Sequence, residues 1–86
     1  MTQAYFDYNP VGESLYVLVE EGKEPKETTI STQSATTMIE AICGFMAQEG
    51  VEHLYCNAAA MGLASAIKQY VLTEYNNNTL TIEQYT

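Results

Sequence analysis

The stretch VEHLYCNAAAMGLASAIKQY, residues 51–70, decides the fold. It opens on an apolar, β-prone run, passes through Asn57 and continues as an alanine-rich segment with one glycine. Asparagine is a preferred helix N-cap because its side-chain oxygen accepts from the free N–H groups of the first turn. The pattern predicts a short strand over 51–56 and a helix, capped by Asn57, that runs to about Glu74. A strand placed between two helices suits parallel pairing. The same junction raises a second reading, a phosphate site, because ligands of open α/β sheets gather beyond strand ends near helix N-termini. NAAAMG argues against it. The turn lacks the glycines of dinucleotide and phosphate-loop patterns, and no lysine follows at the required place.

Working outward, NNN at 76–78 makes a turn and TLTIEQY, 79–85, alternates as a last strand. On the N-terminal side, residues 35–48 read as an amphipathic helix. At 100° per residue, Ala35, Met38, Ile39, Ile42, Cys43, Phe45 and Met46 fall within one arc of about 160°. Ser34 is one candidate cap and Thr37 with Glu40 another, by capping-box spacing. Gly50 suits the helix end. Before it lie TQAYFDYN, 2–9, a strand ended by Asn9-Pro10 and Gly12, and SLYVLVE, 14–20, a strand by its β-branched and aromatic content. EGKEPK turns the chain, and ETTIST, 27–32, returns as the second arm of a hairpin. The order is β-β-β-α-β-α-β, an α+β domain over residues 1–86 with a mixed five-stranded sheet packed by two helices.

This element order is similar to the core of the ribonuclease H-like superfamily. The resemblance covers nearly the whole chain, at the level of element order. It implies carboxylates on the first strand, in the first helix and at the end of the fourth strand, where they hold two divalent metals. Asp7 and Glu40 stand at the first two places, but Asn57 stands where the family has Asp. Glu40 also falls on the polar arc of its helix, which Gly50 ends early for the family. The pattern argues against nuclease chemistry.

Composition narrows the function further. Eighty-six residues, 47% of them apolar, make one small domain able to fold alone. No run reaches membrane-span length, and the first residues lack a signal-peptide pattern. Cys43 and Cys56 fall inside apolar elements and read as small buried hydrophobes in a reducing, cytoplasmic setting. The net charge is −8, from eleven acidic residues against three lysines and no arginine. Lys23, Lys26 and Lys68 cannot form the cation cluster that nucleic acid or an anionic membrane requires. An acidic chain suits a basic protein partner, or simply solubility. His53 is the single histidine, so no zinc set is complete and no cofactor is expected. Nothing beyond chance composition suggests a nucleophile with its base.

Two surfaces remain as candidates. The seven tyrosines are too many for so small a core; tyrosine is both an interface residue and a good strand residue. On a continuous second helix, Ala59, Ala60, Leu63, Ala64, Ile67, Tyr70 and Val71 form the core arc. Ala58, Met61, Gly62, Ser65 and Leu72 then make a strip of small and apolar residues on the other side, open to close approach by a second chain. The hairpin tip supplies carboxylates at Glu20, Glu21, Glu24 and Glu27. These features lead us to expect a non-enzymatic protein-binding domain, an inhibitor or adaptor of the kind encoded by phages and mobile elements, that occupies a basic, nucleic-acid-binding surface of its partner. A second copy of the chain is the other candidate occupant. The alternative function is a small-molecule or nucleotide site at the strand ends near Asn57.

Overall fold

The computed structural model describes residues 2–31 and 34–86. The elements are β1 (Thr2–Asp7), β2 (Glu13–Glu20), β3 (Lys26–Ser31), α1 (Ala35–Glu49), β4 (His53–Cys56), α2 (Ala58–Met61), α3 (Ala64–Tyr75) and β5 (Thr81–Gln84). The expected end of the third strand at Thr32 lies outside the described residues. The strands form one sheet in the order β3-β2-β1-β4-β5. β1 pairs antiparallel with β2 and parallel with β4; β2 pairs antiparallel with β3, and β4 parallel with β5.

That pairing determines where the helices go. β3, β4 and β5 all run parallel to β1, so the connections β3–α1–β4 and β4–α2–α3–β5 are both crossovers, and they advance across the sheet in the same direction. Right-handed crossovers of one direction place their helices on one face. The core lies on that face. Ala4, Phe6, Tyr16, Leu18, Leu54 and Cys56 of the sheet are buried with Met38, Ile42, Cys43 and Met46 of α1 and Ile67 and Val71 of α3. The Tyr16 ring packs 5.3 Å from that of Phe45, and its hydroxyl donates to Glu49 Oε1 at 3.0 Å. Of the helical arc expected on α1, Ala35 alone is exposed, in the first turn.

Ser34 is the cap of α1: its Oγ accepts from Thr37 N–H at 3.2 Å. Gly50 ends the helix in the left-handed region, φ 68°, where its N–H donates to Met46 O. A residue with a Cβ is strained there.

The expected single helix from 58 to 74 is two. α2 ends after one turn, and the chain tightens through Gly62, with N–H groups of Gly62 and Leu63 donating to Ala59 O at 3.2 Å and Ala60 O at 2.8 Å. Leu63, at φ −102° and ψ −2°, stands at the edge of the right-handed helical region as the N-cap of α3, with no side-chain cap bond. The break serves two packings. α2 sits over the sheet with Ala60 buried, contacting β1, β4 and β5, whereas α3 packs on α1. Three helices, not two, therefore cover the sheet.

Candidate functional site on the uncovered sheet face

Successive side chains of a strand point to opposite faces. In β2, Ser14, Tyr16 and Leu18 are buried under the helices, so Leu15, Val17 and Val19 point the other way. Registration extends this second face across the sheet. Tyr5 lies opposite Val17 and Tyr55, Gln3 opposite Val19 and His53, and Tyr55 opposite Glu83. None of Tyr5, Leu15, Val17, Val19 or Tyr55 belongs to the core cluster, and all are half-buried. No helix covers them among the described residues.

Three of the tyrosines meet here. Tyr5 stacks on Tyr55 with ring centroids 5.1 Å apart, and Tyr85, just past β5, meets Tyr5 edge-on at 5.4 Å. Burial, and then the Asp7 carboxylate, hold the Tyr85 hydroxyl above its ordinary pKa, although the residue is 40% exposed. The cluster thus ends against an acidic group.

Carboxylates border this apolar area on three sides. Asp7 and Glu13 stand at the C-terminal end of β1 and the start of β2, Glu27 on β3 opposite Val17, and Glu83 on β5. All four are exposed. Among the described residues no lysine joins them. Lys23 is in the β2–β3 turn, Lys26 lies opposite Leu18 and so belongs to the helix side, and Lys68 is on α3.

The residues singled out from sequence fall into separate places. Glu27 joins the uncovered face. Glu20 is half-buried on the helix side and pairs with Lys23 at 3.6 Å, while Glu21 and Glu24 are exposed in the turn. Ser65 and Leu72, one face of α3, line a shallow cleft of about 360 Å³ with Lys68, Gln69, Asn77 and Asn78; Leu72 is 45% exposed. Ala58 is exposed at the start of α2, but Met61 packs against the core. The break at Gly62 removes the helical phase that would align Ala58, Met61 and Gly62 with Ser65 and Leu72. A Cβ at Gly62 would stand 3.3 Å from Ala59 O, so the glycine answers to its own backbone.

The strand ends near Asn57 are also resolved. Asn57 Oδ1 accepts from Ala60 N–H at 2.8 Å and Tyr8 N–H at 3.2 Å. Its Nδ2 donates to Tyr8 O at 3.0 Å and to the Asp7 carboxylate. Both donors and both lone pairs are engaged. Asp7, Glu13 and Asn57 line the adjoining cleft, where two carboxylates oppose a phosphate. Asp7 and Asn57 do meet, as the ribonuclease H-like order implies. Glu40 lies elsewhere: its carboxylate, after burial, helps raise the Tyr70 hydroxyl on α3. Among the described residues no three His, Cys, Asp or Glu side chains come together as a metal site.

No family model matches the sequence, and no curated protein matches it. A solved structure does match in three dimensions: the Bacteroides thetaiotaomicron protein described as having an actin-like ATPase fold and unknown function, with a TM-score of 0.71 at 10% identity. The match covers 98% of this chain and 32% of that one, so the chain spans about a third of its neighbour's length. The class is thereby defined: a small α+β domain with a mixed five-stranded sheet and three helices, whose arrangement is shared with an actin-like fold. No helix among the described residues is long and apolar enough to cross a membrane.

Proposed function

We propose that this chain is a protein-binding domain, an inhibitor or adaptor rather than an enzyme, that engages a basic surface of its partner in a reducing, cytoplasmic setting. One observation carries the reading: an uncovered sheet face, apolar and aromatic at its centre, bordered by Asp7, Glu13, Glu27 and Glu83 and lacking lysine. Half-buried apolar and aromatic side chains gathered on one face and rimmed by polar groups suit an interaction site. Tyrosine brings contact area at low entropy cost, and a carboxylate border steers a cationic partner. Glu21 and Glu24 at the hairpin tip add to the same field. A partner whose normal ligand is nucleic acid fits this charge, and occupying its basic surface would make the chain a competitor. The exposed Ser65–Leu72 face of α3 is a second, smaller contact candidate. The strand-end cleft is not carried forward as a nucleotide site because Asn57 has no free hydrogen-bonding capacity there.

The test is retention of host proteins on the immobilised chain at low and high salt, beside a variant with Asp7→Asn, Glu13→Gln, Glu27→Gln and Glu83→Gln. The expected result is a partner retained at low salt, released as salt rises, and poorly held by the variant. Retention of no protein above a blank surface at any salt defeats the proposal.

A further inference from the structure

We infer that the occupant of the uncovered sheet face is a basic amphipathic helix of another protein, laid along the strands over β2, β1 and β4 with its apolar face on Val17, Tyr5 and Tyr55. The inference rests on the protein-binding reading and adds the chemistry of the partner.

Size is the first argument. Leu15 to Val19 spans four residues, about 13 Å along the strand, and β2 to β5 spans three strand spacings, about 14 Å. An apolar footprint of about 200 Å² follows from those strand dimensions. An α-helix with its side chains is about 10–12 Å across, so one helix fills the patch. The covered face shows the same fit, since α1 lays Met38, Ile42, Phe45 and Met46 over the other side of the same strands.

Charge is the second argument, and it is independent of size. Glu27 on β3 and Glu83 on β5 stand four strand spacings apart, about 19 Å, on either side of the apolar centre. They flank a helix lying between them, within reach of lysine or arginine on both its shoulders. Asp7 and Glu13 close one end. A second copy of this chain would bring the same carboxylates against each other with no opposing cation, at −8 per copy. Phosphate-bearing partners meet the same repulsion. An apolar stripe with basic shoulders is the composition that satisfies both the centre and the border.

The probe is a synthetic peptide of about five helical turns, leucine at i, i+3, i+4 and i+7 and lysine elsewhere. Two controls accompany it, one with every lysine replaced by glutamate and one of the same composition scrambled to abolish the stripe. Amide chemical shifts and calorimetry are recorded on the full chain. The expected result is saturable binding of the basic amphipathic peptide alone, with shifts at Tyr5, Val17 and Tyr55. Affinity should fall at least tenfold in Val17→Lys and several-fold in Tyr85→Ala, an exposed position whose loss leaves the sheet intact. Far-UV dichroism confirms that both variants are folded. Shifts confined to the hairpin turn or the Ser65–Leu72 cleft, equal binding of the scrambled peptide, no binding at all, or a dimer in sedimentation that Val17→Lys dissolves, each overturns the assignment. Host-protein retention by the wild type alongside any of these would leave the protein-binding reading standing and remove the helix alone.

Discussion

Replacing Asn57 tests whether this side chain is a structural clamp between β1, β4 and α2. Asn57→Ala removes an N-cap worth about 1 kcal/mol. It also removes both bonds to the Tyr8 backbone, each worth about 1 kcal/mol where water cannot fully replace them. The contact with exposed Asp7 adds little. The expected loss is about 2–3 kcal/mol, a large share of the 5–15 kcal/mol that stabilises a typical domain. For a chain of this size the melting temperature should drop by about 10–20 °C. Asn57→Asp separates capping from donation. It keeps the acceptor for Ala60 and Tyr8 N–H, loses both donated bonds, and sets a carboxylate against Asp7. Two carboxylates in contact share a proton, so the folded pair binds that proton at a pH where the unfolded chain, with carboxyl groups near 4, has released it. A raised folded pKa gives stability that is present at low pH and lost as pH rises. Asn57→Asp should therefore be less stable than the wild type at pH 7, and recover part of the deficit towards pH 4. Urea denaturation of the three proteins across that range is the assay. A loss below about 0.5 kcal/mol in Asn57→Ala, well under an ordinary cap, or a pH-independent deficit in Asn57→Asp, refutes the clamp.

Three further outcomes follow from local geometry. Gly62→Ala should lose up to about 1 kcal/mol, because its Cβ meets Ala59 O at 3.3 Å; the gain of about 1 kcal/mol that an uninterrupted helix would give on denaturant midpoints argues for a continuous helix instead. Burial pushes the thiols of Cys43 and Cys56 up to about 12 and about 11, so neither should react with a thiol reagent at pH 8 until urea unfolds the chain; labelling under native conditions contradicts their burial. Burial, and then the bond to Glu49, raise the Tyr16 phenol above its ordinary value. The folded state keeps that proton longer, so stability from this source is intact below about pH 10 and declines above it. Tyr16→Phe should flatten that alkaline decline in melting temperature.

Most of the fold was legible because its signals are local. Asn57 announces a strand-to-helix junction, Gly50 a helix end, and the paired runs around EGKEPK a hairpin; the strand boundaries that differ shift by one or two residues because pairing, not propensity, ends a ladder. The helix break was not legible from periodicity. A 100° projection assumes continuity, and Gly62 was read as a costly residue inside a helix when its position marks the end of one. The competing demands of Ala60, held to the sheet, and α3, drawn to α1, are tertiary and have no signature in spacing. The strip that joined Met61 to Leu72 depended on that continuity.

The uncovered face was legible in part, and the signal lay in SLYVLVE. A strand with one solvated face alternates; a strand with apolar groups on both faces reads as a continuous run. Leu15, Tyr16, Val17, Leu18 and Val19 are such a run, yet both crossovers cover only the side of Tyr16 and Leu18. The other side, Leu15, Val17 and Val19, is left half-buried, and the proposed partner would cover it. The tyrosine count pointed the same way without saying where, since Tyr5 of β1, Tyr55 of β4 and Tyr85, just past β5, meet only through register. The acidic border was harder to see. Counting charge along the chain favours the hairpin tip, where four carboxylates sit within eight residues, but two of the three lysines sit there too. Asp7, Glu13, Glu27 and Glu83 are scattered in sequence and converge by pairing across five strands. Charge that acts on a partner is set by the face it shares, and that face is a property of register.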